Sequence, residues 1–490
     1  MKIALPKLRT PRPITNEEAQ QKCQRALQQK DREDYKGAQE TMRPLWRGVG
    51  EQPDASGLHP AVAAEVLLTA GILTSWIGSR DQIKGAQEAA KNLITEGTTY
   101  FESIRDVRQI AVARTEIAYC YFREGELNEA RIMLRESLKK LTLEGTTRAR
   151  ALLKLTTVEW TAGRFYEALG ILNDNATLFQ KVKNHTVKGS YHTELAIVLR
   201  NLATAEKRED YFIRAIREYA EADHHFKLAK NRVFRASVKN NLGLLLYKLS
   251  RYKEAHKYLD EARRLAITFK DQSRIAQFDE TRAQVFIAQG KYKEAEIVAR
   301  KAAAALSKGG QKCLVADALT TQGIALARAG RMKRAKYILQ TAIEIALQVD
   351  ARNKAGLAAL SLIEEVSDLP PAVLQAAYER AREWLADSQS PEVLSRLNKA
   401  AGRFVSSVRE LSTEDATEIL LTKGRNLQQI ILETEREIIR QALAQTNGGV
   451  TRAAALLGMS YQSLAYIIQS RHKDLLKERS PVRRRQRKQP

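Results

Sequence analysis

The chain has 490 residues, 81 Lys plus Arg against 57 Asp plus Glu, and a formal net charge of +24 at pH 7. That length exceeds what one hydrophobic core organises, which argues for several units or a quasi-linear array. The positive balance points to an acidic partner without choosing among nucleic acid, anionic membrane and acidic protein.

Residues 1–30 form an N-terminal segment. Its opening MKIALPKLRTPRP is basic but broken by prolines before any long apolar stretch, so it reads as no secretory leader. Cys23, Cys120 and Cys313 lack CxxC or Cys/His spacing, which fits a reducing compartment. The run AVAAEVLLTAGILTSWIG (61–78) has a membrane-spanning length, but Glu65 and several Gly, Thr and Ser interrupt it. It is expected to be a buried helix, with no membrane involved.

Residues 31–350 carry a repeat. Ala255, Ala295 and Ala335 lie 40 residues apart, and the same residue types return around each. Twelve residues before comes Gly243, Ala283 or Gly323; nine before comes Leu246, Phe286 or Leu326; five before comes the turn residue Ser250, Gly290 or Gly330. Tyr252, Tyr292 or Met332 follows, and Ala262, Ala302 or Ala342 shares a helix face with the reference alanine. Ala130 and Ala168 fit the same template, Ala215 more loosely, Ala38 and Ala86 more weakly. The Ala168–Ala215 interval is longer and contains TAEKRED, which suggests an inserted loop.

This pattern resembles the tetratricopeptide repeat, whose helix-turn-helix units bury against their neighbours what none buries alone. The usual period is about 34 residues, so the extra residues are expected to lengthen the helices or their connections. The resemblance implies a concave surface for a protein or peptide. Asn240, Asn241, Arg282, Gln284 and Gln322 are candidate groove residues, although a solvated helix face explains them equally well. For the repeated Tyr, Phe and Leu, packing is explanation enough.

Residues 351–410 read as terminal capping helices, with Pro370, Pro371 and Pro391 at helix starts. A new domain is expected over 411–475. VTRAAALLG and SYQSLAYIIQSRH, joined through Gly458 and Met459, have the syntax of a helix-turn-helix. Ala454 is small where the helices cross, Ser460 is placed to cap the second, and Leu464 with Ile468 forms its inner face. The stretch EREIIRQALAQTNGGVTRAAALLGMSYQSLAYIIQ resembles the Fis-type helix-turn-helix through Glu435, Ile439, Ala442, Leu443, Gly448, Ala453, Ala454, Leu457, Gly458, Ser460, Ser463 and Leu464. Gly449 departs from the family's usual Asn, and the second helix is unusually uncharged.

The fold expected is thus all-α, a tetratricopeptide-like α-solenoid followed by a small Fis-type helix-turn-helix domain and a basic tail, 476–490. The resemblance implies double-stranded DNA as partner. Ser460, Tyr461, Gln462, Ser463 and Tyr466 are candidates for touching bases, Arg452 is a further DNA-binding candidate, and from Arg471 onward the basic end, with Arg471, Lys473, Arg483, Arg484 and Arg485, is the candidate for phosphates. It also implies a homodimer through the domain's first helix, with Leu420, Leu427, Ile430 and Ile431 extending the apolar surface. No GxxxxGK[ST], HExxH, GxSxG or GxGxxG occurs, and the histidines show no organised spacing. The chain reads as a binder rather than an enzyme, with no cofactor or metal, working in the cytoplasm at the nucleoid. A protein-interaction scaffold with a dimerising end, and a nonspecific nucleic-acid binder, remain as alternatives.

Overall fold

The computed structural model describes residues 14–409 and 427–478, apart from 144, 387, 389 and 447. The described residues form helices and no strand, in two compact units that divide between Ala401 and Gly402.

The first unit is a solenoid of helix pairs. In chain order its helices are α1 (Asn16–Asp31), α2 (Tyr35–Met42), α3 (Pro60–Asp81), α4 (Ala86–Ser103), α5 (Val107–Glu124), α6 (Leu127–Lys140), α7 (Thr146–Thr161) and α8 (Phe165–Asp174). Then come α9 (Ala176–Lys181), α10 (His185–Glu206), α11 (Glu209–Leu228), α12 (Arg232–Lys248), α13 (Tyr252–Thr268), α14 (Gln272–Ala288), α15 (Tyr292–Lys308) and α16 (Lys312–Arg328). α17 (Met332–Leu347), α18 (Arg352–Glu365) and α19 (Pro371–Trp384) close the series, and α20 (Pro391–Arg409) runs across the division.

From α12 to α16 every helix has 17 residues, joined by turns at 249–251, 269–271, 289–291 and 309–311. Helix length therefore accounts for the 40-residue period. Ser250, Gly290 and Gly330 turn the chain with φ of 58°, 73° and 76°, the left-handed conformation that ends a helix and frees the next to reverse. Asp34, Asp106, Asn184, Asn231 and Asp271 each accept a backbone N–H at a helix start.

Within a pair the two helices differ. The second buries one stripe, as Ala255, Leu259, Ala262 and Ala266 do on α13, whereas the first is buried on several sides. The small residues of the template permit this. A Cβ on Gly323 would lie 2.5 Å from Leu339 Cγ, and one on Gly243 would lie 2.9 Å from Leu259 Cγ. Ala38 and Ala86, the weaker template matches, are as fully buried as the rest.

One expectation changes. TAEKRED is no inserted loop: it ends α10 and begins α11, with Lys207 in the left-handed turn between them. The longer interval comes instead from the break at Asn175 between α8 and α9 and from the 22 residues of α10. The 61–78 run lies within α3, which is long and apolar enough to span a membrane, yet two thirds of its most apolar window is buried against neighbouring helices.

In the second unit, α21 (Leu427–Gln445), α22 (Val450–Leu456) and α23 (Tyr461–Ser470) are followed by a 3-10 turn, Lys473–Glu478. They enclose Ile439, Leu443, Ala453, Ala454, Leu464, Ile468 and Leu475.

Candidate nucleic-acid interface and solenoid cavity

The helix-turn-helix is built by local rules. Gly448 and Gly458, with φ of 75° and 68°, turn the chain after α21 and α22. The Ser460 hydroxyl accepts the Ser463 N–H at 3.0 Å and thereby starts α23. Because Leu464 and Ile468 are buried at 0% exposure, the opposite face of α23 is outward: Tyr461 is 47% exposed, Tyr466 69%, and Gln462 and Ser463 are exposed beside them. Ser460, Tyr461, Gln462, Ser463 and Tyr466 therefore share one solvent-facing, uncharged surface at the start of the second helix.

The cationic candidates are more committed than the sequence suggests. Arg452 Nη2 donates to the Thr446 carbonyl at 3.2 Å and so holds the end of α21. Arg471 pairs with Glu435 at 3.2 Å, while His472, 3% exposed, places Nε2 2.9 Å from the same carboxylate. Arg436 pairs with Asp474 at 2.6 Å, an interaction that holds the Asp474 carboxyl below its usual range. Lys473 is exposed. Arg483, Arg484 and Arg485 lie outside the described residues, as does Leu420. Leu427 and Ile430 lie on α21, where Ile431 and Leu432 are 40% and 36% exposed.

The solenoid holds a second candidate site. Its first turn reaches elements far along the chain: Asp31 binds Arg150 of α7, the Asp31 carbonyl accepts from Asn231 at 3.3 Å, and Glu33 pairs with Arg274 of α14. These links draw the N-terminal helices around a cavity of about 550 Å³. Trp76, Tyr119, Phe226 and Phe234 contribute apolar wall, and Thr115, Ser190, Thr193 and Ser237 also line it.

Charges in the wall are mostly matched. Burial would raise the Asp31 carboxyl, but Arg150 and Lys30 bring it down to about 2. Glu116 and Lys154 form a 2.6 Å pair. Glu194 differs: burial pushes its carboxyl up to about 7, against opposing hydrogen bonds from Trp160 and Thr157.

The sequence candidates for the groove do not line this cavity. Gln322 is buried and donates to Glu296, Gln284 donates to Glu280, and Arg282 binds Asp260. Asn240 and Asn241 belong to α12, whose cavity-lining residues are Phe234, Ser237 and Val238. A signal was available in the repeat itself. Fourteen residues before the reference alanines stand Glu116, Lys154, Asn241, Thr281 and Thr321, and only the first two are charged. The histidines also gather after all. His185 and His225 Nδ1 atoms are 3.1 Å apart, and His192 and His224 pack on His225, although no described cluster could hold a metal.

Residues 431–469 match the model of bacterial regulatory proteins of the Fis family. No curated protein matches the chain. Among solved structures, a Rap protein complexed with competence and sporulation factor is 15% identical, with a TM-score of 0.49 over 76% of this chain and 99% of that one. The apo form of RapI is 17% identical (TM-score 0.42; 58% and 96% covered). A tetratricopeptide repeat protein from Parabacteroides merdae is also 17% identical (TM-score 0.36; 61% and 99% covered).

Proposed function

We propose that this protein is a sequence-specific DNA-binding transcription regulator, a cytoplasmic, nucleoid-associated homodimer whose solenoid takes a protein or peptide ligand. The observation that carries the reading is the outward face of α23. Tyr461, Gln462 and Tyr466 stand exposed at the start of the second helix of a Fis-family helix-turn-helix, where a major groove is read, beside Ser463, whose exposed hydroxyl is 2.8 Å from that of Ser460. Their lack of charge assigns them to base edges, and Ser460 contributes from the cap.

Phosphate attraction then has to come from elsewhere. Arg452 and Arg471 are bound within the domain, so Lys473 and the tail arginines Arg483, Arg484 and Arg485 supply the salt-sensitive share. Exposed Ile431 and Leu432 on α21 supply the dimer surface.

The test is selection from random duplex DNA at near-physiological salt. The full chain is compared with a copy ending after Glu478, because Leu475 belongs to the domain core, and with Gln462→Ala plus Ser463→Ala. A palindromic motif lost in the double variant and weakened by truncation supports the reading. The uncharged face of α23 favours a scaffold as the second reading. If no motif emerges and binding disappears with the tail, that reading takes its place.

A further inference from the structure

We propose that the solenoid cavity is a binding site for a ligand bearing a protonated amine on an apolar body, with the ammonium seated on Glu194. The inference rests on the cavity as the ligand site of the proposed regulator, but it does not rest on DNA binding.

The geometry sets Glu194 apart from every other acid of the wall. Asp31 has Arg150 and Lys30, Glu33 has Arg274, and Glu116 has Lys154. Glu194 has no cation among the described residues. Its contacts are with neutral groups, Trp160 Nε1 donating at 2.6 Å and the Thr157 hydroxyl, which also lies 3.0 Å from the Leu153 carbonyl. A carboxylate offers about four lone-pair sites, and these contacts leave acceptor capacity unused. Removing an ion from water without pairing it is costly, so such a group is either protonated or waiting for a counterion. Tyr119 and Tyr219, which feel the Glu194 charge, are phenols and carry no positive charge in either protonation state, so neither supplies one.

The rest of the cavity lining fits the rest of such a ligand. Val187, Phe226, Phe234 and Val238 provide apolar wall, and Ser190 and Thr193 provide hydroxyls that accept the remaining ammonium protons. A cavity of about 550 Å³ suits a small molecule or a few residues of peptide rather than a folded partner. A free amine and a peptide N-terminus present the same group, and both belong to the class.

Binding has a proton signature. With its carboxyl near pH 7 in the empty site, Glu194 is mostly protonated at pH 6 and gives up that proton to pair with an ammonium. Affinity therefore rises several-fold from pH 6 to pH 7.5, with close to one proton released at the lower pH and a fraction of one at the higher.

The experiment is calorimetry on the full chain, without DNA, in buffers of different ionisation enthalpy. One panel holds arylalkyl amines such as phenethylamine and tryptamine; the other holds short apolar peptides with free N-termini; each has its N-acetylated counterparts. Glu194→Gln keeps an acceptor for Trp160, and Ser190→Phe fills the cavity while leaving Glu194 in place. The expected result is binding by members of at least one panel, weakened tenfold or more by acetylation and by either substitution, with proton release at pH 6. No binding from either panel overturns the proposal, as does binding indifferent to acetylation and to Glu194→Gln. Amine binding by a chain that selects no DNA motif would retain the site and discard the regulator.

Discussion

The two halves of the solenoid use one helical template for different ends. From α12 to α17 the repeat is regular, its helix pairs meet through alanine, glycine and leucine, and its polar groups pair between neighbours, as Thr321 does with Glu280 and Gln322 with Glu296. From α1 to α11 helix lengths vary, polar and charged groups stand inside, and the first turn closes over a cavity. Regularity stacks one unit on the next, whereas departures from it mark where the chain encloses something.

The largest effect should come from the charge buried in the irregular half. Glu159 occupies the template slot filled by Leu246, Phe286 and Leu326, yet it is 0% exposed and held by Arg131 and Arg135, each at 3.0 Å. Glu159→Ala leaves the buried Arg131 without its carboxylate partner, Asn128 Oδ1 at 2.7 Å remaining as a neutral acceptor, and should cost about 3–5 kcal/mol, read as a lower denaturant midpoint. Glu159→Leu restores the regular residue but strands the same arginine. If Glu159→Leu proves as stable as the parent, the pair is replaceable packing and the contrast between the halves loses its energetic content.

Next comes a steric break in the regular half. Gly323→Val would place its Cβ 2.5 Å from Leu339 Cγ, an overpacking cost of about 1–3 kcal/mol. Adding Leu339→Ala should recover part of it. Failure of the pair to recover anything in thermal melts would mean that Gly323 is needed for backbone reasons instead.

A smaller effect is expected in the terminal unit. Ser460→Ala removes the cap of α23 and should lower that unit's stability by about 1 kcal/mol, whereas Gln462→Ala, fully outward, should leave it unchanged. Domain melting separates the two, and a Gln462→Ala loss as large as that of Ser460→Ala would mean that the exposed face packs against something.

Much of this architecture was legible because it is periodic. The 40-residue spacing, the glycine turns and the alanine stripes each follow from a rule that acts within a few residues, and so do the Ser460 cap and the Leu464/Ile468 face of α23. The cavity was not legible, because the contacts that close it join Asp31 to Arg150 and Glu33 to Arg274, residues that no local pattern connects. The groove candidates fall outside the cavity for a related reason. Polar residues on a first helix look alike in sequence whether they face a neighbouring helix, as Gln322 does, or an enclosed space, as Glu194 does. The histidines escaped notice because His185 and His225 are 40 residues apart and meet only when α10 lies along α11.

That histidine group gives the smallest and most selective expected effect. Burial and the neighbouring His192, His185, His224 and Lys188 push His225 down to about 4. Across the α10–α11 contact the other charged groups are Glu218, 2.7 Å from His192, and Arg214, which pairs weakly with Glu218 at 3.8 Å. A histidine whose pKa is depressed by folding takes up its proton more readily when unfolded. Its contribution to stability is therefore intact above about pH 6.5 and is lost as the pH falls toward 4. His225 itself remains partly open to solvent, so the net effect should be modest. Hydrogen exchange at pH 5 and pH 7, corrected for intrinsic rates, should show protection lost in α10 and α11 before α12–α17, and His225→Gln should reduce that difference. Equal loss of protection in both halves would mean that the irregular half responds to pH as the regular one does, and that its crowded histidines are only packing.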